Sequence, residues 1–256
     1  MKGPDFRMDG KVALITGAGR GIGLGIAQGL ASAGCAVAVQ DIEIDVAEEA
    51  AGEIERQGGR AIALGGDITD LSIAPKLIDQ TSRQLGGLHV LINNAAIQKP
   101  QHWLEMTVDD MERQLRADLI APILLCQAAA GIFKPQRFGR IISLGSIQQK
   151  KGNPNMLAYS LSKAALERMT VALARDLAGD NITVNLIAPG YFNTYRNRGD
   201  FPTEKDVREK GKWVPLGRIG EPEDCAGIAL LLCSEAGSYI TGQNIYVDGG
   251  MAAYGI

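Results

Sequence analysis

Short runs of uniformly apolar residues alternate with longer amphipathic stretches along the chain, and this alternation restricts the fold more than any other feature. A strand whose side chains are apolar on both faces must be covered on both faces, as in a parallel sheet between two layers of helices. The pattern therefore predicts an α/β fold with a doubly wound parallel sheet and helices on both faces. The predicted strands are 12–16, 36–41, 60–64, 90–93, 140–144, 182–187 and 243–247. The predicted helices are 21–33, 46–57, 72–85, 107–130, 158–177 and 222–233.

The chain divides into a short tail and one domain. A length of 256 residues suits a single large α/β domain, and we assign residues 1–10 to an N-terminal tail and 11–256 to that domain. Within it, residues 191–220 show no clear periodicity and are rich in charge, glycine and proline. Long loops inside compact domains are usually functional, so we predict a substrate loop there. Pro122 is expected to kink the helix 107–130.

Charge and cysteine usage exclude several classes of function. The net charge is −3, and acidic and basic residues are mixed without a basic stripe, so we expect no nucleic-acid partner. The four cysteines are scattered without CxxC spacing, which predicts neither a metal site nor a disulfide framework. Charged residues stand at the start of the chain, where a signal peptide needs an apolar run. Since we also expect no membrane span, we predict a soluble cytoplasmic protein.

A glycine-rich turn at residues 17–23 joins the first predicted strand to the first predicted helix. The free N–H groups and partial positive charge of a helix N-terminus attract a pyrophosphate, and glycines let the backbone come close enough to use them. The strand–turn–helix context therefore indicates a dinucleotide site on a Rossmann-like sheet. The cofactor residues predicted in this turn are Gly17, Arg20, Gly21, Ile22 and Gly23.

Asp41 ends the second predicted strand, roughly 20 residues beyond the glycines, where a carboxylate can accept hydrogen bonds from an adenine-ribose diol. A 2′-phosphate about 4 Å from this carboxylate costs about 1 kcal/mol in water and about 4 kcal/mol at an effective dielectric of 20. Arg20 favours the opposite choice, because an arginine in the glycine turn can pair with a 2′-phosphate. We give Asp41 more weight, because its side chain faces the ribose directly, and predict NAD in preference to NADP.

Further motifs follow the glycine turn in a definite order: Asp67-Ile68, Asn93–Ala96, Ser146, Tyr159 with Lys163, and Pro189-Gly190. With them, residues 10–250 resemble the short-chain dehydrogenase/reductase family. The resemblance implies an oxidoreductase that moves a hydride between a nicotinamide and a secondary alcohol or ketone. The cofactor residues that it implies outside the turn are Asp67 and Ile68 at the adenine, Asn94 near the adenine ribose, and Tyr159 and Lys163 at the nicotinamide ribose. It also implies Pro189 and Gly190 at the nicotinamide, and Thr194 at the nicotinamide carboxamide or at the phosphate.

Tyr159 and Lys163 are four residues apart, so they share one face of the predicted helix 158–177. Ser146 follows a predicted strand, and ligands of open parallel sheets collect beyond the carboxyl ends of strands. Making a free phenol basic at neutral pH takes roughly 4 kcal/mol, and an ammonium about 5 Å away supplies about 3 kcal/mol at an effective dielectric of 20. The residues therefore predict Tyr159 as general base or acid, Lys163 as its activator and Ser146 as the residue that holds the substrate oxygen.

Asp118 departs from the family pattern, which usually has asparagine at this position. That asparagine completes a catalytic tetrad by helping to hold a water next to the lysine. If the backbone carbonyl holds the water, an aspartate is tolerable; if the side chain matters, a carboxylate would favour the protonated lysine and oppose activation of Tyr159. We include Asp118 among the predicted catalytic residues, with a purely structural role as the alternative.

The residues that follow Ser146 are polar, so we expect them to line a site for a hydroxyl-rich substrate such as a sugar, polyol or sugar acid. Arg196 and Arg198 in the loop 191–220 are candidates to meet a substrate carboxylate. The polar residues after Ser146 are Gln148, Gln149, Lys150, Lys151, Asn153 and Asn155. The predicted substrate residues are Ser146, Gln148, Asn153 and Tyr159.

Two other functions stay open at this point. One is a reductase of carrier-bound 3-oxoacyl groups, which generally uses NADPH and a basic docking patch, and Asp41 argues against it. The other is a non-catalytic NAD-binding regulator on the same fold; the presence of Tyr159 and Lys163 argues against that. The family resemblance also implies a homotetramer, assembled through the helices 107–130 and 158–177 and the C-terminal segment 251–256.

Overall fold

The computed structural model describes residues 3–197, 199 and 201–254. These residues contain one seven-stranded sheet. Its strands are β1 (Val12–Thr16), β2 (Ala36–Asp41), β3 (Arg60–Gly65), β4 (Val90–Asn93), β5 (Gly139–Leu144), β6 (Ile182–Pro189) and β7 (Asn244–Val247). They lie in the order β3-β2-β1-β4-β5-β6-β7, and each neighbouring pair is parallel. The predicted Rossmann-like, doubly wound parallel sheet is confirmed.

Helices cover both faces of this sheet. One layer contains α1, α2 and α8, and the other contains α3, α5 and the C-terminal part of α6. The helices are α1 (Gly21–Ser32), α2 (Ile44–Arg56), α3 (Ile73–Leu85), α4 (Val108–Leu115), α5 (Ala121–Gln136), α6 (Leu157–Leu177), α7 (Glu204–Gly211) and α8 (Ala226–Cys233).

The position of β1 inside the sheet explains why its sequence is uniformly apolar. Successive side chains of a strand point to opposite faces, so Val12 and Leu14 pack into the core beneath α3 and α5. Ala13 and Ile15 pack into the opposite core, beneath α1 and α2. All four side chains are buried, which a strand covered on one side only would not require.

The strand order reverses direction between β1 and β4. After β3 at one edge, the chain crosses to the other side of β1, so the connections that leave β1 and β4 diverge. Ligands of open α/β sheets bind in the crevice outside the carboxyl ends of strands at such a point. The fold therefore selects one end of the sheet for the functional site.

The predicted helix 107–130 is two helices joined by a π-helical turn, and it extends to Gln136. Thr107 begins α4 with a capping box to Asp110, as its sequence suggests. Pro122 lacks an N–H group and cannot donate to the carbonyl four residues earlier. The helical hydrogen bonds change to the π-helical spacing at Arg116–Ile120, where the Ala121 N–H donates to the Arg116 carbonyl five residues earlier. The irregularity therefore lies before the proline, and it contains Asp118.

The segment 191–220 differs from its description as an unstructured loop. It contains α7 and a short 3-10 turn at Tyr195–Asn197. Thr203 caps α7 through a capping box with Asp206, and this pair was the sequence signal for the helix. The helix escaped notice because seven of its eight residues are polar, charged or glycine, which hides apolar periodicity.

Other boundaries differ from the predicted ones by no more than two residues, apart from the predicted helix 222–233. That helix begins with a 3-10 turn, Pro222–Cys225, before α8. The described part of the tail, residues 3–10, packs on the domain, with Met8 fully buried and its N–H bonded to the Ala33 carbonyl. The four cysteines are buried and unpaired. Within the described ranges, no three His, Cys, Asp or Glu residues are grouped to hold a metal ion.

The expectation that no stretch is long and apolar enough to cross a membrane was wrong for one segment. Residues Val108–Gln136 meet that criterion by length and composition. In the most apolar window of this segment, 39% of the residues are buried, and the exposed large apolar side chains of the segment are Val108, Met111 and Ile120. Core helices of soluble proteins pass the same test, and this one carries the fully buried Asp118.

Candidate active site

A cavity of about 960 Å³ opens at the carboxyl ends of the strands, where the topology selects the site. Almost all of the predicted site residues line it. Those that do are Gly17, Arg20, Gly21, Ile22, Asp41, Asp67, Ile68, Asn94, Ser146, Gln148, Asn153, Tyr159, Lys163, Pro189, Gly190 and Thr194. Of the residues predicted to be catalytic or to bind the cofactor, Gly23 and Asp118 do not line it.

The glycine turn is held in shape by Asn94. Its side-chain nitrogen donates to the Thr16 carbonyl at 2.9 Å and to the Gly17 carbonyl at 2.7 Å. Gly17 has φ +61°, a conformation that favours glycine. A Cβ atom at Gly23 would lie 2.5 Å from the Asn94 nitrogen and 2.6 Å from the Gly17 carbonyl oxygen. Gly23 is therefore needed for packing against the turn, whereas Gly17 and Gly21 face the cavity.

This turn fits the pyrophosphate of a dinucleotide. Helix α1 begins at Gly21 and no side chain caps its N-terminus, so its first N–H groups are available to a ligand. Gly17, Gly21 and Ile22 line the cavity beside them. Thr194 lies close to Gly21 from the opposite wall, since a Cβ added there would be 3.5 Å from the threonine methyl group.

Asp41 and Arg20 lie at the same end of the cavity, but their side chains have different partners. Asp41 is buried, and its carboxylate accepts hydrogen bonds from the Gly19 N–H at 3.2 Å and the Glu43 N–H at 3.3 Å. The Arg20 guanidinium forms a 2.7 Å ion pair with Glu43 and stacks 4.6 Å from the centre of the Tyr195 ring. The arginine that favours a 2′-phosphate is thus already paired with a carboxylate.

Asp67 and Gly190 are fixed by the backbone around them. The Asp67 carboxylate accepts a 2.8 Å hydrogen bond from the Thr69 N–H, which turns the chain at the end of β3. The Gly190 N–H donates to the Val247 carbonyl at 2.9 Å and continues the pairing of β6 with β7. A Cβ at Gly190 would lie 2.7 Å from the Asp248 Cα, so this close approach requires glycine.

Ser146, Tyr159 and Lys163 come together at the inner end of the cavity. Tyr159 and Lys163 lie on α6, with the Lys163 nitrogen 5.4 Å from the centre of the Tyr159 ring. All three side chains are buried. The Lys163 ammonium donates to the Leu144 carbonyl at 2.9 Å, which ties α6 to the end of β5. The Ser146 hydroxyl accepts the Gln148 N–H at 3.1 Å and is fixed at the start of a 3-10 turn.

Asp118 lies directly behind Lys163. Its side chain is fully buried, one oxygen accepts the Ile97 N–H at 2.8 Å, and the other lies 3.7 Å from the Lys163 nitrogen. The second oxygen has no hydrogen-bond partner among the described residues. Burial raises the pKa of Asp118 above the usual range of an aspartate, although Lys163 and the Ile97 N–H act in the opposite direction. The side-chain carboxylate of Asp118 therefore faces Lys163, which is the second of the two alternatives considered for this position.

The polar residues after Ser146 divide into two groups. Gln148, Asn153 and Asn155 line the cavity, although the Asn153 side chain also caps a 3-10 turn by accepting the Asn155 N–H at 3.0 Å. Gln149 and Lys150 turn away from the cavity towards Tyr246, at 3.2 Å from its hydroxyl and 4.4 Å from its ring centre. Lys151 bonds the Tyr191 hydroxyl and does not line the cavity either. We expected all three to line the pocket, and that was wrong.

Arg196 lines the cavity and donates a 2.8 Å hydrogen bond to the Ala96 carbonyl. Arg198, the second arginine proposed for a substrate carboxylate, lies outside the described residues. The sequence reasoning missed the cavity residues contributed by the segment 191–220, because it treated that segment as a loop. They include Tyr191, Phe201, Asp206, Glu209, Lys210 and Trp213.

Comparisons with known proteins agree with this geometry. A family model described as enoyl-(acyl carrier protein) reductase matches residues 17–252. The chain is 36% identical to a 3-oxoacyl-[acyl-carrier-protein] reductase of Aquifex aeolicus, over 96% of this chain and 99% of the relative. It is 34% identical to a 2-dehydro-3-deoxy-D-gluconate 5-dehydrogenase of Dickeya dadantii, over 97% and 98%.

A solved structure extends the likeness to three dimensions. The gluconate 5-dehydrogenase of Burkholderia cenocepacia, in complex with NADP and tartrate, superposes with a TM-score of 0.91 at 33% identity, and 98% of each chain is covered. The Ser146, Tyr159 and Lys163 constellation, the glycine turn and these relatives agree. The chain belongs to the short-chain dehydrogenase/reductase family, as an oxidoreductase that acts on CH–OH or keto groups.

Proposed function

We propose that the protein interconverts a secondary alcohol and a ketone of a sugar, polyol or sugar acid, with NAD as its cofactor. The observation that carries this proposal is the meeting of Ser146, Tyr159 and Lys163 in a cavity whose substrate side is lined by amides. The gluconate and deoxygluconate dehydrogenases among the relatives act on substrates of this class by name.

Tyr159 transfers the proton in this scheme. During oxidation its phenolate oxygen takes the proton of the substrate hydroxyl, and during reduction the phenol returns a proton to the carbonyl oxygen. The Lys163 ammonium stabilises the phenolate, and the Ser146 hydroxyl donates a hydrogen bond that holds the substrate oxygen. When bound, the nicotinamide supplies the acceptor or donor of hydride.

The nucleotide would be held by the glycine turn and the residues of the opposite wall. The uncapped N-terminus of α1 would receive the pyrophosphate, and Asp41 the adenine ribose. Asp67, Ile68 and Asn94 would lie along the adenine half. Lys163, Pro189, Gly190 and Thr194 would lie along the nicotinamide half.

NAD is favoured because Asp41 is buried at the ribose end and Arg20 already pairs with Glu43. A 2′-phosphate would have to break that ion pair and approach a buried carboxylate. Relatives with bound NADP make the choice a matter for experiment. We expect a higher kcat/KM with NAD⁺ than with NADP⁺, and Asp41→Ala should narrow the ratio by about tenfold or more. A wild-type preference for NADP⁺ would show that Arg20 governs the choice.

We assign Asp118 a positioning function. Its carboxylate holds the Ile97 N–H and faces Lys163, so it orients the lysine without reaching the cavity. An asparagine could keep the bond to Ile97 but would carry no charge. The aspartate therefore moderates the positive charge that Lys163 presents to Tyr159.

The choice of a hydroxyl-rich substrate rests mainly on Gln148. Its side-chain oxygen is buried and has no hydrogen-bond partner among the described residues. Buried polar atoms normally have partners, and a substrate hydroxyl would supply one. Asn153 and Asn155 add further amide groups to the same wall.

A 3-oxoacyl-carrier-protein reductase is the second candidate. It is supported by the Aquifex aeolicus relative and by the exposed Trp213 in the cavity wall, which could contact an acyl chain. A non-catalytic NAD-binding regulator is the third, and it would need neither Tyr159 nor Lys163.

One screen separates these functions. NAD⁺ and NADP⁺ would be tested with polyols, aldoses, hydroxy acids and a simple alkanol, and NADH and NADPH with a 3-oxoacyl thioester, by following absorbance of the reduced nicotinamide. We expect a polyol, sugar or sugar acid to be turned over far faster than the alkanol or the thioester. The carbohydrate proposal is wrong if an apolar ketone or the thioester is fastest. No turnover of any substrate would favour the regulator.

We also propose a soluble, cytoplasmic homotetramer. Apolar side chains are exposed on α4, α6 and the π turn between α4 and α5, and a second copy would cover them. They are Val108, Met111, Ile120, Leu157, Leu161 and Val171. Because this surface includes the apolar segment Val108–Gln136, protein contact rather than lipid would account for its composition. Sedimentation at micromolar concentration should give a tetramer, and a monomer would contradict the proposal.

A further inference from the structure

A second cluster of tyrosine and lysine side chains lies beside the cavity, away from the catalytic residues, and Lys151 joins it only through its contact with Tyr191. The Lys151 ammonium donates a 3.2 Å hydrogen bond to the Tyr191 hydroxyl. Lys210, on α7, lies 4.2 Å from the centre of the same ring. Tyr191 and Lys210 line the cavity. We call Lys151, Tyr191 and Lys210 the rim cluster.

Among the described residues, no carboxylate forms an ion pair with the lysines of the rim cluster. In the ranges that the structure describes, neither Lys151 nor Lys210 has a carboxylate oxygen within 4.0 Å. The carboxylates that α7 contributes to the cavity are engaged elsewhere: Glu209 pairs with Lys212 at 2.6 Å, and Asp206 caps the helix. Both cluster lysines are half-buried, so water screens their charges only in part.

The electrostatics of the central phenol agree with this surplus of charge. Burial alone would raise the pKa of Tyr191. Hydrogen bonds and charge from Lys151 and Lys210 outweigh burial and lower that pKa below the usual value for tyrosine. The site thus favours negative charge even on its own hydroxyl, and an anionic ligand would benefit from the same field.

The chain also connects the rim cluster to the reacting groups. Lys151 ends the short segment that begins at Ser146, and Tyr191 directly follows Pro189-Gly190. Tyr159, Gln148 and Tyr191 line one continuous cavity. A substrate whose alcohol lies beside Ser146 and Tyr159 can therefore extend towards the cluster.

We propose that the rim cluster binds an anionic end group of the substrate, a carboxylate or a phosphate. The Lys151 ammonium has three donors, of which the Tyr191 hydroxyl accepts one, and Lys210 lies over the Tyr191 ring in the cavity wall. Both ammonium groups therefore keep donors for charge-assisted hydrogen bonds to the anion. This proposal rests on the proposed function and narrows it from carbohydrates in general to acidic ones.

The test compares three six-carbon compounds: gluconate, glucose 6-phosphate and sorbitol. Lys151→Gln and Lys210→Gln should each lower kcat/KM for the preferred anionic compound by about tenfold, mainly through KM, because a charge-assisted bond is lost. The lysine changes should affect sorbitol much less. Lys205→Gln is the matched control, since Lys205 is an exposed lysine of α7 that does not line the cavity. Preference for gluconate identifies a carboxylate site, and preference for glucose 6-phosphate identifies a phosphate site.

Two results would overturn the inference. One is an equal loss for sorbitol and the anionic compounds, which would mean that the lysines only support the loop. The other is a loss confined to a carrier-bound thioester, which would make the cluster a docking patch for an acidic carrier protein.

Thermal stability with added compound separates this inference from the proposed function. If the unmodified enzyme turns over no carbohydrate, the proposed function fails, but the cluster can still be examined. Gluconate or glucose 6-phosphate should then raise Tm of the unmodified protein more than sorbitol does, and the double variant Lys151→Gln/Lys210→Gln should lose that difference. An equal effect of all three compounds on Tm would reject the anion site independently.

Discussion

The cavity contains the same pair of residue types, tyrosine and lysine, in two different settings. Tyr159 and Lys163 are adjacent on one helix and almost fully buried, and Asp118 lies behind the lysine. Tyr191 meets its two lysines at the half-buried rim, without a carboxylate neighbour within ion-pair distance in the described chain. Burial and a paired charge suit a group that exchanges a proton at a fixed position, whereas partial exposure and unpaired charge suit a group that attracts a ligand. Chemical role thus depends on surroundings more than on residue type.

The largest effect that separates the two settings should come from removing each hydroxyl. Tyr159→Phe should lower kcat by about 10²–10⁴-fold, because the proton then has no acceptor, while the fold and NAD binding are kept. Tyr191→Phe should act on KM for an anionic substrate and leave kcat close to that of the unmodified enzyme. Steady-state kinetics with a fluorescence titration of NADH would measure both. Near-normal turnover by Tyr159→Phe would refute its assignment as the base.

Replacing the lysines should show the same contrast, with larger losses at Lys163 than at Lys210. Lys163→Ala should lower kcat by about 10²-fold and weaken NAD binding, because this lysine faces both the tyrosine and the cofactor wall. It should also lower Tm, since it leaves the Asp118 carboxylate buried without its cation. Lys210→Ala should change Tm little, because its charge is half-exposed and forms no ion pair with any residue that the structure describes. Equal losses of Tm in the two variants would contradict the contrast between the two settings.

The difference between the settings also explains what the sequence could predict. The Tyr159–Lys163 pair has helical spacing within an apolar pattern, and the glycine turn has its strand and helix beside it, so the sequence alone could predict both, and both line one cavity. The rim cluster joins residues that are 40 positions apart in the case of Lys151 and Tyr191. Its third member lies on α7, whose polar composition hid the helix. Contacts made only by tertiary folding leave no local pattern to detect.

Gln148 lies between the two settings and should have an intermediate effect. Gln148→Leu should lower kcat/KM for a polyol or sugar acid by about 5- to 150-fold, because a substrate hydroxyl then loses its buried partner. A simple alkanol, which lacks that hydroxyl, should be nearly unaffected. Measuring both substrates with the same variant provides the control. A neutral effect on the polyol would favour the acyl-substrate alternative.

The smallest effect concerns Asp118 and depends on pH. Because burial raises the pKa of Asp118, its carboxyl group is neutral at low pH and becomes charged only above the usual range of an aspartate. Asp118→Asn should therefore match the unmodified enzyme at low pH. As pH rises, the carboxylate of the unmodified enzyme ionises. The ratio of the alcohol-oxidation rate of the variant to that of the unmodified enzyme should then increase, by up to about tenfold, which corresponds to about 1.4 kcal/mol. A ratio that does not change with pH would leave Asp118 a structural role alone.

The bonds from Asn94 to the Thr16 and Gly17 carbonyls have a thermodynamic consequence for ligand binding. They restrict the glycine turn before any nucleotide arrives, so little backbone freedom is left to lose upon association. Cofactor affinity should then follow the contacts made at the turn rather than the ordering of a loop. Asn94→Ala would transfer that ordering cost to the binding step, so the association entropy measured by calorimetry becomes less favourable even though Asn94 itself needs to touch no phosphate.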